Sequence, residues 1–307
     1  MIRLVSVNTF NLYGSASLAE QARHAAVEDL IRGLNADIIA VQEIVAREPV
    51  TSGGPSKRDA AAEQVRRLAD AVDRRCELDG TPVFALGGGH HHVALLWRDG
   101  IVPVPGTVGR FERDPAGMWH SLVTAVVDLG GARLRVGSVQ LSPFDQGWGH
   151  RDAGQILRAL QSDTVPGLVG GDFNGIGATE VAGYDGYFNY DPTPYRTDVP
   201  WHPDFAYQHD DDGQLDRRVA RRLERVGRMR DCARIAGAPW APTSGHHPGD
   251  AHPPRRVDRW YASHHFPDDA ITAYRVLSPD DVGDATDHAP IEITVDEQLL
   301  QEVRAAD

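Results

Sequence analysis

The chain of 307 residues holds two cysteines, Cys76 and Cys232, a single lysine, Lys57, and no run of about 18 apolar residues. Each scarcity excludes something. Two cysteines far apart give neither a disulfide framework nor a cysteine-based zinc cluster. Without a long apolar run there is no candidate membrane-spanning helix. The opening MIRLVSV lacks the apolar core of a secretory signal, so a reduced, cytoplasmic setting is expected. Positive charge is scarce too: 31 Lys and Arg face 44 Asp and Glu, a formal net charge of −13. That balance disfavours a protein whose main task is gripping a nucleic-acid backbone, where phosphate contacts supply much of the affinity. It suits one that gathers carboxylates around a metal cation. The near absence of lysine beside abundant arginine reads as a compositional bias of a GC-rich genome.

A hydrophobic content of 41% is enough for a substantial core. IRLVSVN (2–8) and ADIIAVQEI (36–44) read as buried strands around an amphipathic helix at 18–35, and a second helix is expected at 58–76. VALLWR (93–98) is a further strand. SLVTAVVDL and ARLRVGSVQL flank Gly130-Gly131 as a hairpin. A helix at 151–163 leads into the apolar run PGLVGGDFN, and strands follow at 255–263 and 289–295. Residues 183–255 differ: rich in Tyr, Pro, His and Asp, with one helical stretch near 214–236, they read as a long excursion that covers one side of the cleft. No linker divides the chain. The expectation is one α+β domain over 1–307, built on stacked sheets.

Several strands end in residues that strands disfavour. Asn8 closes the first, Gln42-Glu43 the second, Gln140 lies in VGSVQL, and Asp172 and Asn174 close the run ending GGDFNG. Asp258 sits within RRVDRWY, and Asp287-His288 precedes the last strand. Side chains alternate along a strand, so Asp172 and Asn174 share one face while Phe173 turns to the core. Any one of these residues could cap a turn. Together they form a pattern.

The order of Asn at the first strand end, VQE at the second, GDFN, R-x-D and finally DHAP resembles the endonuclease/exonuclease/phosphatase superfamily. The resemblance runs from Asn8 to Pro290. It implies a four-layer αββα sandwich, two mixed β-sheets face to face with helices outside. It also implies a divalent-metal-dependent phosphoesterase using Mg²⁺, with Mn²⁺ as an alternative. Position by position, Glu43 is the metal ligand, with Asn8 and Asp287 completing the shell directly or through water. Asp172 orients or deprotonates the attacking water, with Asn174 donating to the phosphate or fixing Asp172. His288 donates to a non-bridging phosphoryl oxygen while Asp258 holds its other ring nitrogen.

Where many relatives carry a histidine, this chain has Gln140, which can donate through its amide but cannot carry a proton in turnover. Of the triplet His90, His91 and His92, one is expected to reach substrate phosphate, His91 or His92. Arg256 could clamp phosphate in bidentate fashion, or Arg255 and Arg256 could pair with surface carboxylates. Tyr184, Tyr187, Tyr190, Tyr195, Trp201 and Tyr207 offer either a stacking wall or a satellite hydrophobic cluster. The acidic balance favours a small or lipid-like phosphate substrate. A Mg²⁺-dependent nuclease and a non-catalytic binding module that kept the fold are the alternatives.

Overall fold

The computed structural model describes residues 1–48, 54–160, 165–178, 191–196 and 198–300. From the N-terminus the strands are β1 (Ile2–Leu12), β2 (Ile38–Val45), a short hairpin of β3 (Glu77–Leu78) and β4 (Thr81–Pro82), β5 (Phe84–Leu86) and β6 (His91–Trp97). Then come β7 (Val102–Pro103), β8 (Gly109–Phe111), β9 (Ser121–Asp128), β10 (Arg133–Gln140) and β11 (Gly167–Asp172). The last are β12 (Arg230–Asp231), β13 (Asp258–Ala262), β14 (Ile271–Val276) and β15 (Ile291–Val295). One sheet has the order β14-β15-β1-β2-β6-β5, and the other β12-β13-β11-β10-β9-β7 with β8 also on β9.

Both sheets are mixed. β1 runs parallel to β2, and β10 parallel to β11, while the remaining pairs that flank the cleft are antiparallel. Their inner faces meet through Leu4, Ile38, Val93, Leu95, Val123, Val136, Leu168, Trp260 and Ile293, all buried. Val5, Val7, Ile39 and Val41 point the other way, onto helices α1 (Leu18–Leu34) and α2 (Lys57–Ala71). Helix α3 (Gln146–Leu160) covers the outer face of the second sheet with Ile156, Leu157 and Leu160 against Val139 and Val169. The result is a four-layer αββα sandwich. Strands covered on both faces are apolar at successive positions, which is why these runs lack alternation. Each such side chain contributes about 1.5–3 kcal/mol by leaving water.

Local signals set the helix ends. The Ser17 and Ser56 side chains accept from the backbone N–H groups of Glu20 and Asp59, capping α1 and α2. α2 stops at Ala71, five residues short of the expected end, because Asp73 takes a left-handed conformation and Arg75 bridges to Trp97. The helix expected near 214–236 is broken into Arg218–Arg221, a π turn at Arg222–Val226 and Cys232–Ile235, interrupted by β12. Tyr184, Tyr187 and Tyr190 lie outside the described residues, as do residues 161–163 of the third expected helix. Among the described residues, no helix is long and apolar enough to cross a membrane.

Register carries the polar strand ends to one rim. Asn8 lies opposite Gln42 across β1 and β2, Gln140 opposite Asp172 across β10 and β11, and Asp172 opposite Asp258 across β11 and β13. The glycine pair before Asp172 has a steric cause. A Cβ on Gly170 would fall 2.6 Å from the Trp260 ring, and one on Gly171 would fall 1.8 Å from the Val139 carbonyl oxygen. Gly171→Ala must displace a strand backbone, so urea unfolding should show a loss of at least about 1–3 kcal/mol. A change within about 0.5 kcal/mol, the range of an inconsequential surface substitution, would contradict this packing.

Candidate active site

Two carboxylates from different sheets face each other at the rim, joined by two side-chain amides. Asn8 Nδ2 donates to Glu43 Oε1 at 3.1 Å and to Asp172 Oδ2 at 3.3 Å. Gln140 Nε2 donates to Glu43 Oε1 at 2.9 Å and reaches Asp172 Oδ2 at 3.5 Å. Backbone groups hold the outer oxygens: Asn11 N–H donates to Glu43 Oε2 at 3.0 Å, and Asn174 N–H to Asp172 Oδ1 at 2.8 Å. Asn174 Nδ2 donates to the Leu141 carbonyl, which helps to hold the turn. Gln140 thus faces the two carboxylates.

The backbone bends to bring these groups together. Phe10, Asn11, Glu43 and Asn174 all adopt positive φ, between 48° and 66°, a conformation that costs non-glycine residues about 1–3 kcal/mol each. Register shifts in β1 after Asn8 and in β2 after Val41 mark the bulges that turn Glu43 toward the cleft.

Behind Asp172 sits an ion pair. His288 Nδ1 lies 2.8 Å from Asp258 Oδ2, and both groups are buried. Burial alone would lower the imidazole, but Asp258, Asp287 and Asp172 around it raise it well above the usual histidine range, keeping it protonated. Thr243 Oγ1 accepts from the N–H groups of Val257 and Asp258, and Thr286 Oγ1 donates to the Asn8 carbonyl, tying His288's loop to β1. Burial raises Asp172, with His288 opposing and Asp258 reinforcing. Burial would raise Glu43 as well, but nearby His91 and His288 and the Asn8 and Asn11 donors bring it below the usual range. Asp287 is raised by burial, and its Oδ1 is buried without a hydrogen-bond partner.

Asp172, Asp258 and His288 each bring a possible ligand atom within 4.8 Å of the others. Asp258 takes up His288 Nδ1, so Nε2 and the remaining carboxylate oxygens are what the trio offers to a cation or a substrate oxygen. Glu43 and Asp287 bring further carboxylate oxygens close to one another at the same rim, while Asn8 Oδ1 accepts from Phe10 N–H.

Two expected substrate contacts are elsewhere. His92 is fully buried: its Nδ1 accepts from Gly87 N–H, and its Nε2 lies 3.1 Å from the Ala46 carbonyl oxygen. Strand alternation turns His91 to the cleft instead, where its Nε2 lies 2.6 Å from Asn11 Oδ1. Arg256 is 1% exposed and lies below the floor of the site. Its Nε and Nη2 donate to Asp191 at 2.9 and 2.7 Å, and its Nη1 and Nη2 also meet Asp231. Arg259 joins the same network and donates to the Gly175 carbonyl just past Asn174. Arg255 pairs with Asp250 at 2.9 Å. The carboxylates that engage Arg256 are thus internal, and the one that engages Arg255 is partly buried. Tyr195 and Tyr207 pack around Phe205 and His252, while Trp201 is 73% exposed. Asn11 and His120, which line the His91 side, carried no sequence signal.

Removing Arg256 leaves Asp191 and Asp231 short of a counter-charge in the interior, so Arg256→Met should cost about 3–5 kcal/mol in urea unfolding. Lost activity with unchanged stability would restore a substrate-clamping role. Burial holds the folded His92 down at about 3, against an ordinary value of 6.5. Below about pH 6.5 the unfolded chain therefore binds a proton that the folded chain refuses. Its stability contribution is intact at pH 7 and drains away as pH falls toward 3, at up to about 1.4 kcal/mol per pH unit. His92→Gln should flatten the decline between pH 6.5 and 4; an unchanged slope would show His92 titrating normally in the folded protein.

A sequence profile described as the Endonuclease/Exonuclease/phosphatase family matches residues 9–288. No curated protein is matched by sequence. Among solved structures, a functionally unknown conserved protein from Enterococcus faecalis V583 is similar at 14% identity and a TM-score of 0.61, over 96% of this chain and 99% of that one. A mannosyl-6-phosphatase from Bacteroides thetaiotaomicron VPI-5482 is similar at 12% identity and 0.60, over 96% and 100%. Truncated TDP2 from Caenorhabditis elegans is similar at 14% and 0.56, over 96% and 97%. At these identities the likeness is one of fold. The profile match spans the strand ends that build the rim, from the residue after Asn8 to His288, and on that ground the chain belongs to the endonuclease/exonuclease/phosphatase family.

Proposed function

We propose that this chain is a divalent-metal-dependent phosphoesterase that hydrolyses a phosphomonoester or phosphodiester by in-line attack of a water held by Asp172. The observation carrying this reading is the opposition, within one rim, of a buried, hydrogen-bonded His288–Asp258 pair and an acidic oxygen set. Glu43 and Asp287 are the residues that would hold Mg²⁺ or Mn²⁺, and they fit, because their donors are hard oxygens and Asp287 Oδ1 is buried without a partner. Asn8 presents its Nδ2 to the carboxylates and its Oδ1 to Phe10 N–H, so it would position Glu43 or hold the ion through water. A bound divalent cation supplies Lewis-acid polarisation of the phosphoryl oxygen.

The protein's own groups do the rest. Asp172 accepts a hydrogen bond from the attacking water and so aims its lone pair at phosphorus. His288 donates from Nε2 to a non-bridging oxygen as negative charge develops there, with Asp258 fixing the ring through Nδ1. Gln140 and Asn8 keep Glu43 and Asp172 at their separation. His91 reaches the phosphate from the opposite wall. A small or lipid-like phosphate suits the net charge of −13 and the acidic run Asp210–Asp212 better than a polyanion. The similarity in fold to a mannosyl-6-phosphatase is consistent with a small substrate.

A hydrolysis panel of nucleic acids, nucleotides, inositol phosphates and simple esters tests this reading with Mg²⁺ and Mn²⁺. Asp172→Asn and His288→Ala should each cut turnover about a hundredfold or more, and chelation should abolish activity until metal is restored. Activity at the parental level in both variants would refute the assigned roles. Strong cleavage of duplex DNA with none of small esters would favour a nuclease.

A further inference from the structure

Just past Asn8 the first strand leaves its ladder. Asn8 pairs with Gln42 and Leu12 with Ile44, so Thr9, Phe10 and Asn11 together stand opposite Glu43 alone. Phe10 and Asn11 take up the excess with φ of 49° and 58°. The Thr9 and Phe10 carbonyls are thereby carried off the ladder and need donors from elsewhere.

Arg23, on the second turn of α1, supplies them. Its Nη1 donates to the Thr9 carbonyl at 3.2 Å and to the Ala285 carbonyl at 3.0 Å, and its Nη2 to the Phe10 carbonyl at 2.5 Å. Nε and Nη2 also donate to Glu20 Oε2, at 3.2 and 2.9 Å. Every N–H of the guanidinium is thus committed, and its face lies 5.0 Å from the Phe10 ring. His24, the next residue, accepts from Tyr13 N–H at Nε2, so α1 grips the far end of the same segment.

The three carbonyls belong to the two segments that carry the acidic rim. Phe10 N–H donates to Asn8 Oδ1 at 3.1 Å, which leaves Asn8 Nδ2 turned toward Glu43 and Asp172. The following N–H, that of Asn11, donates to Glu43 Oε2. Ala285 stands two residues before Asp287, and Thr286 between them donates to the Asn8 carbonyl. One side chain therefore holds the Glu43 side and the Asp287 side of the rim from behind. With no donor left over, Arg23 has nothing to offer a phosphate, and Glu20 offsets its charge.

Resting on the phosphoesterase reading, we propose that Arg23 is a positioning residue for the cation. By tying Thr9, Phe10 and Ala285 together it sets the spacing and orientation at which Glu43 and Asp287 are presented as ligands. Lysine is no substitute, because an ammonium is a point charge with three donors and lacks the planar fork that spans these acceptors. The sign of the effect separates this role from a Coulombic one. A positive charge near the site repels an ion, so neutralising it would by charge alone tighten binding. Losing the clamp weakens it.

The test is calorimetric titration of Mn²⁺ into the full chain, Arg23→Gln, Arg23→Lys and Glu20→Gln, with urea unfolding of each as the control for folding. Arg23→Gln should bind about tenfold or more weakly, the loss usual when a group supporting metal ligands is removed. Arg23→Lys should weaken binding in the same direction while keeping the charge, and it decides the matter if Arg23→Gln does not fold. Glu20→Gln leaves the three carbonyl bonds in place and should stay within about threefold of the parent, the scale of an exposed ion pair. Parental affinity in folded Arg23→Lys, or tighter binding by Arg23→Gln, overturns the clamp and leaves the phosphoesterase intact. So does a urea midpoint that falls in both arginine variants while Mn²⁺ affinity stays put, which assigns Arg23 to stability alone. A loss in Glu20→Gln as large as that in Arg23→Gln also overturns it. Absence of Mn²⁺ binding by the parent overturns the metal site itself.

Discussion

Everything at the rim depends on two amides holding two carboxylates together. Glu43 and Asp172 come from different sheets and would repel each other in a buried setting. Asn8 and Gln140 each donate toward both, which offsets part of that repulsion and fixes their separation. Parallel pairing of β1 with β2 and of β10 with β11 puts both amides and both acids on one edge, Gln140 and Asp172 at strand ends and Asn8 and Glu43 at bulges within strands that run on to Leu12 and Val45. The left-handed turns at Glu43 and Asn174 then aim the acids across the gap. A cation would meet oxygen ligands already gathered, with little reorganisation left to make.

A second tier keeps that rim in place. β13 carries Asp258 into the site while Arg256 and Arg259 reach beneath it to Asp191 and Asp231. Arg259 also holds the Gly175 carbonyl, so the turn bearing Asn174 and the strand bearing Asp258 share one buried anchor. Asp191 would be raised by burial, but the two guanidiniums hold it well below the usual carboxylate range. Replacing any member leaves its partners charged in the interior, where an unpaired charge is most costly.

Much of this was legible in the sequence, for definite reasons. Apolar runs doubly covered in the fold announce themselves as strands, and a polar residue ending such a run stands out. That is how Asn8, Glu43, Asp172, Asp258 and His288 could be singled out before their proximity was known. Adjacent histidines defeated the same logic: alternation says that one of His91 and His92 faces inward, but only the bulged register against β2 says which. Arg256 was misplaced because its partner Asp191 is 65 residues away in sequence and nothing local points to it. Asn11 escaped notice because it acts chiefly through its backbone N–H. The helices near 72–76 and 214–236 follow helical spacing but are overruled by a left-handed Asp73 and by pairing of β12 with β13.

The claim that these strand ends form a cation-binding hydrolytic site is tested most directly by calorimetric titration of Mn²⁺ into the purified chain and into Glu43→Gln. The account predicts a saturable isotherm for the parent and an affinity at least about tenfold weaker in the variant, the loss expected when a group in or beside a metal shell is removed. Equal affinity in the two proteins, or no binding to either, would contradict it.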